Sequence, residues 1–389
     1  MHKTTIHSPY GLIGETLELK KNVSVDIDDK GNIIDISHED LEDNILHLEA
    51  KQPTLMIPGL INSHVHIGDS FAKELGFNRG LSEIVAPPFG LKHKLLRQTS
   101  EEIIIIGIKK AISEMLSNGI TCFVDFREGG VEGVNLLRKT LEQEPINCLI
   151  YGRFMDESEI EAIFELADGV GLASYDQISM NNKKYVTKSK LSLKKMIACH
   201  CAENNHDPNL LDNIFNDNIV DVIIHGTKLN KKDLIRIQKE EKSLVLCPRC
   251  NGYFGVGFPP ITEILQLKIP ISLGTDNIMA NNTDLFEEMR YLYRILRVLG
   301  SYDKSIQLTS KELLRMVTIN AARNFKLEGK MGSISKGKAA DFFLIDLNEP
   351  NLYTYNLNKN NIFDIIVQRI RSDNIKRTYI KGELVFERN

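Results

Sequence analysis

The chain has 389 residues, 42% hydrophobic and 26% charged, with 48 Lys plus Arg against 52 Asp plus Glu for a net charge of −4. That length and balance allow a large buried core and exclude disordered and fibrous classes. There is no basic excess to grip a nucleic-acid backbone, and the lysine pairs at 109–110, 183–184 and 231–232 read as solvated faces.

From the amino terminus, MHKTTIHSPYGLIGE lacks the apolar core of a signal peptide, and the longest apolar run, IIIIGI, is too short to cross a bilayer. A cytoplasmic protein with no membrane partner is expected. Six cysteines then predict reduced thiols or metal ligands, not a disulfide framework. Residues 1–56 carry β-type runs, ETLELKKNVSVDI and GNIIDIS, joined by the turn DDKGN.

Eight strand-length apolar runs follow: LMIPGLI, ITCFVDF, INCLIYG, GVGLAS, KMIACHC, IVDVIIH, SLVLCP and IPISLGT. Most are separated by helical periodicity, as in residues 100–118, which start at a Ser N-cap and stop at Gly119. Parallel strands need crossover helices, so the pattern predicts an α/β protein with a closed (β/α)8 TIM barrel over 57–330. The tail, 331–389, returns to β character in ADFFLIDL, IFDIIVQ, RTYIKG and ELVFER. Together with 1–56 it is expected to form a small β-sandwich-like domain from both ends of the chain.

Within PGLINSHVHIGDS, His64 and His66 are separated by one valine. Residues i and i+2 of a strand share a face about 6 to 7 Å apart, so both rings can turn toward one ion, although two core histidines would look the same. His200, His225 and Asp276 fall at the ends of later runs, and in such a barrel the active site is built at the carboxyl ends of the strands. His2, His7, His38 and His47 lie apart, in the amino-terminal β region.

The motifs PGLINSHVH, HCAE, HGTKL, GTDN and TINAARNF…GKMGSISKGKAADFFLID together make the chain resemble the amidohydrolase superfamily, in its cytosine deaminase and chlorohydrolase-like branch. The resemblance implies that His64, His66, His200 and Asp276 ligate one divalent ion, zinc or iron, and that Glu203 and His225 act on its water. Imidazole and carboxylate suit those metals, and an open coordination position lowers the pKa of water from 15.7 to about 7. Glu203, three residues past His200, is placed to carry a proton from water to a ring nitrogen, and Asp276 can also accept one. Binuclear members carry a carboxylated lysine on the fourth strand; GVGLASY offers none, which implies a single metal.

The expected activity is hydrolysis of a C–N bond other than a peptide bond, foremost deamination of a small heteroaromatic or cyclic amidine. Cyclic amide hydrolysis and chlorohydrolase-type displacement are the alternatives within enzymes. A non-catalytic barrel, either using its pocket for ligand binding or holding structural zinc on Cys199, Cys201, Cys247 and Cys250, is the alternative outside them. Arg127, Arg153 and Arg249 lie just beyond strand ends, and the long segment after the first strand adds Asp69, Lys92 and His93. These six are expected to contact a small substrate carrying an anionic group, since guanidinium forks suit carboxylate or phosphate. That segment is expected to act as the specificity lid, and a homodimer is expected.

Overall fold

A computed structural model of the chain describes residues 4–41, 46, 53–299 and 308–388. Four strands come first: β1 (Thr4–Ile13), β2 (Glu18–Ile27), β3 (Ile33–Glu39) and β4 (Thr54–Pro58). The central series is β5 (Leu60–His66), β6 (Ile120–Arg127), β7 (Asn147–Gly152), β8 (Gly169–Leu172), β9 (Met196–Cys201), β10 (Val222–His225), β11 (Ser243–Leu246), β12 (Ile271–Leu273) and β13 (Asp276–Asn277). The chain closes with β14 (Phe342–Asp346), β15 (Ile375–Ile380) and β16 (Glu383–Glu387). His2 and His47 lie outside the described residues.

The central sheet runs β12-β11-β10-β9-β8-β7-β6-β5-β13. Since β12 and β13 are successive pieces of one chain segment, the two edges of that order are the same strand, and the sheet closes into a barrel. Asn62 seals the seam: its Nδ2 donates to Thr275 Oγ1 at 2.7 Å, and its Oδ1 accepts from Thr275 N at 3.0 Å. All eight expected runs supply barrel strands. The first of them, LMIPGLI, is split, because β4 belongs to the other sheet. Gly59 makes that transition possible; a Cβ there would stand 2.1 Å from Thr121 Oγ1.

Alternation along the strands sorts side chains into two layers. Cys122, Val124, Phe126, Tyr151, Ala198, Val222, Ile224 and Val245 fill the barrel interior. Phe123, Ile150, Ile197, Cys199, Cys201, Ile223 and Leu244 pack outward beneath the helices. The helix Glu101–Ser117 shows why these segments cover the barrel. Its Ile104, Ile108, Ala111, Ile112 and Met115 recur at helical spacing and are buried, Glu101 and Glu102 sit in its first turn, and Gly119 at φ +73° ends it.

The second sheet, β16-β15-β14-β4-β1-β2-β3, joins both ends of the chain around Val23, Val25, Ile27, Met56, Phe342 and Leu344. Its β1 was not among the expected runs. IFDIIVQ, read as β-type, is instead part of the helix Ile362–Arg369, since burial of Ile362, Ile366 and Val367 follows the helical period. No helix among the described residues is long and apolar enough to cross a membrane.

Candidate metal-centred active site

The carboxyl ends of β5, β9, β10 and β13 converge on one buried cluster. His66 Nε2 and His200 Nε2 are 3.4 Å apart, and Asp276 Oδ1 lies 3.3 Å from His64 Nε2 and 3.5 Å from His66 Nε2. His225 Nε2 is 3.9 Å from Asp276 Oδ2 and 3.6 Å from Glu203 Oε1. Two sets, His64 with His66 and His200, and His64 with His225 and Asp276, each bring three ligand atoms within 4.8 Å of one another. His225 and Asp276 sit at φ 69° and 60°, a left-handed conformation costing on the order of 1–3 kcal/mol each. The barrel holds both in that sparsely populated region.

Neighbours fix how the rings are presented. His200 Nδ1 donates to Leu172 O at 2.8 Å, and His66 Nδ1 donates to Phe126 O at 3.0 Å and lies 2.6 Å from Glu128 Oε1. Each Nε2 therefore turns a lone pair inward. Both ring nitrogens of His64 are buried without a hydrogen bond. Burial pushes the His64 imidazole down to about 3, and burial also lowers His66 and His200. Converging neutral imidazoles beside a carboxylate repel one another and go unsatisfied unless a cation sits among them. The donor set fits zinc or ferrous ion.

A cavity of about 170 Å³ opens on this cluster, lined by His66, His200, Glu203, His225, Asp276 and Asn277, by Lys92 and Arg153, by Ala173, and by lid residues Leu81, Ser82, Val85, Ala86 and Pro87. Glu203 Oε1 is buried and unpartnered, and burial raises its carboxyl.

Of the six residues expected to touch substrate, Lys92 and Arg153 line the cavity and four do not. Arg127 follows Phe126, an interior residue, so it points to the opposite face, where it packs on Gly68 and donates from Nε to Glu128 O at 3.0 Å. Arg249 is engaged by Glu288 at 2.6 Å, Glu287 at 2.5 Å and Asn282 at 2.7 Å. His93 Nε2 donates to Val85 O at 3.1 Å. Asp69 Oδ1 accepts from Met279 N at 3.0 Å, and burial pushes its carboxyl up to about 7. These four brace the lid and the strand ends.

Sequence reasoning missed two supporting residues. Glu128 binds both His66 and Lys92, and its carboxyl is held well below the usual range: burial raises it, but Lys92, His66 and Arg127 outweigh that. Asn251 Nδ2 donates to His225 Nδ1 at 3.2 Å, leaving the ring proton on Nε2, toward Glu203 and Asp276. The signal for Asn251 was present in CPRCN, whereas Glu128 stands 62 residues from its histidine and only the fold joins them. The cysteines are divided, Cys199 and Cys201 outside the barrel and Cys247 and Cys250 inside. Among the described residues no candidate metal cluster includes a cysteine.

Comparison with known proteins agrees with this fold. The sequence model of the amidohydrolase family matches residues 55–385. An uncharacterized protein of Methanocaldococcus jannaschii is 32% identical over 364 residues, covering 89% of this chain and 91% of that protein. A 5-methylthioadenosine/S-adenosylhomocysteine deaminase of Pyrococcus horikoshii is 27% identical over 373 residues, covering 86% and 80%. The crystal structure of an adenosine deaminase from Xanthomonas campestris with bound zinc superposes with a TM-score of 0.81 at 17% identity, covering 98% of this chain and 92% of that one.

Proposed function

This chain belongs to the amidohydrolase family of metal-dependent C–N hydrolases, and from that premise we propose that it is a deaminase of a small heteroaromatic or cyclic amidine substrate. The observation that carries the reading is Glu203, whose buried, unpartnered Oε1 faces the cavity 3.6 Å from His225. Amide hydrolysis needs no carboxylate able to protonate a ring nitrogen, whereas deamination does. The names of the Pyrococcus horikoshii and Xanthomonas campestris proteins support the same class of reaction.

His64, His66, His200 and Asp276 would hold one divalent ion per chain, zinc in this reading. When bound, such an ion lowers the pKa of water toward neutrality. Glu203 takes a proton from the attacking water and delivers it to the ring nitrogen next to the amine-bearing carbon. Its raised carboxyl pKa suits both halves of that transfer near neutral pH. His225, with its proton on Nε2, orients the attacking oxygen, and Asp276 takes the second water proton and passes it to the departing amine. The water oxygen forms a bond to carbon, the C–N bond breaks, and the protonated amine leaves as ammonia. Lys92 and Arg153 form the polar part of the substrate wall.

The test is ammonia release across amino-substituted purines, pyrimidines and pterins, with Glu203→Gln as the control. Release from at least one ring that is abolished in the variant supports deamination. Hydrolysis of cyclic amides with no ammonia from any amine would replace it.

A further inference from the structure

The segment after β5 closes the barrel mouth, and Lys92 fastens it from beneath. Lys92 is 2% exposed. Its Nζ pairs with Glu128 Oε1, donates to Asn277 Oδ1 at 2.9 Å and lies 3.5 Å from Asp69 Oδ2. Glu128 directly follows β6 and Asn277 ends β13, so the lid is tied to two barrel strands by buried charged contacts. Opening it would take the ammonium away from Asp69 and leave Glu128 with Arg127 and His66 alone, a costly change in a buried setting. The space above the histidines is therefore about 170 Å³, well below the roughly 300–1,000 Å³ of sites that enclose drug-sized ligands.

One wall of that space carries an uncompensated charge. Arg153 is 6% exposed, and among the described residues its guanidinium makes no hydrogen bond or ion pair; its Nε is buried without a partner. The acid whose charge acts on it most, Glu128, is already engaged by Lys92, Arg127 and His66. Arg153 reaches the cavity because it shares the inward parity of Tyr151 on β7. A largely buried guanidinium on a cavity wall, with no carboxylate paired to it, is best matched by an anionic ligand. Carboxylate is the smaller of the anions that match its fork. Leu81, Val85 and Pro87 supply an apolar face for a flat ring.

We propose that the substrate is a ribose-free, single-ring amino-heteroarene bearing one carboxylate, with the carboxylate on Arg153 and the volume limit set by the Lys92-fastened lid; this rests on the deaminase reading above. Nucleosides are then excluded by size and neutral rings by the unmatched guanidinium.

The experiment is ammonia release by the metal-loaded full chain from 4-aminopyrimidine-5-carboxylate, from its 5-carboxamide and from adenosine. The acid should exceed the amide in kcat/KM by ~10–100-fold, the worth of a charge-assisted contact, and adenosine should reach at most about 1% of the acid. Arg153→Met should bring acid and amide within about threefold, chiefly through KM, and Arg153→Lys should restore part of the gap. Equal turnover of acid and amide, or adenosine turned over as well as the acid, overturns the proposal. If none of the three releases ammonia, the wider screen of amino-substituted rings decides the deaminase reading, and equilibrium dialysis decides the cavity's preference. Retention of pyrimidine-5-carboxylate that Arg153→Met abolishes sustains it; no retention, or retention of adenosine instead, overturns it.

Discussion

His66 and His200 face each other through their Nε2 atoms at 3.4 Å, each with its Nδ1 proton given to a neighbour on the far side. Two lone pairs at that distance call for a cation between them. The His64→Ala/His66→Ala double variant should lose the bound metal, while Cys247→Ser/Cys250→Ser should keep about one ion per chain. Elemental analysis after dialysis reads the difference. The reverse pattern would move the metal to the cysteines.

Glu128 holds His66 and neutralises Lys92 at once. Glu128→Gln leaves a buried ammonium short of its partner, so the fold should lose about 3–5 kcal/mol in chemical denaturation. Removing the carboxylate behind a ligating histidine should also weaken metal binding by about 10–100-fold in chelator competition. A variant with unchanged stability and affinity would show that the pairing is incidental.

Arg153 and Arg249 looked alike in the sequence and differ in the fold. Arg249→Met should lower stability by removing a buried ion pair with Glu288, with KM changed by less than about twofold. Arg153→Met should raise KM. Steady-state kinetics of the two variants, side by side, separates the structural arginine from the substrate-facing one.

Much of this was legible from local pattern. The i, i+2 spacing of His64 and His66 and the strand-end positions of His200, His225 and Asp276 are properties of period and place, which sequence carries directly. The parity that turns Phe126 inward also turns Arg127 away, and counting it along DFREGG would have separated Arg127 from Arg153. Lys92 was harder: its burial comes from docking of the lid onto residues 36 and 185 positions away. IFDIIVQ was misread because a short apolar run fits either period until its buried face is known.

Asp341 offers a test of stability away from the site. Its Oδ1 accepts from Lys381 N at 2.7 Å and its Oδ2 from Asn147 Nδ2 at 2.9 Å, yet burial pushes the carboxyl up to about 6. The unfolded carboxyl titrates near 3.9, so between about pH 4 and 6 the folded chain keeps a proton that the unfolded chain has released. Its contribution is full below that window and lost as pH rises through it, on the order of 3 kcal/mol. Asp341→Asn should flatten this slope in urea denaturation at pH 4.5 and pH 7. An unchanged slope would assign it to other carboxylates.

The most direct test of the central claim is metal content and ammonia release measured on the same preparation of Glu203→Gln. Glu203 belongs to neither three-ligand set, so the variant should keep the wild-type metal content while ammonia release falls by about 10²–10⁴-fold. Turnover within tenfold of wild type, with the metal in place, would contradict the role given to Glu203 and with it the deaminase reading.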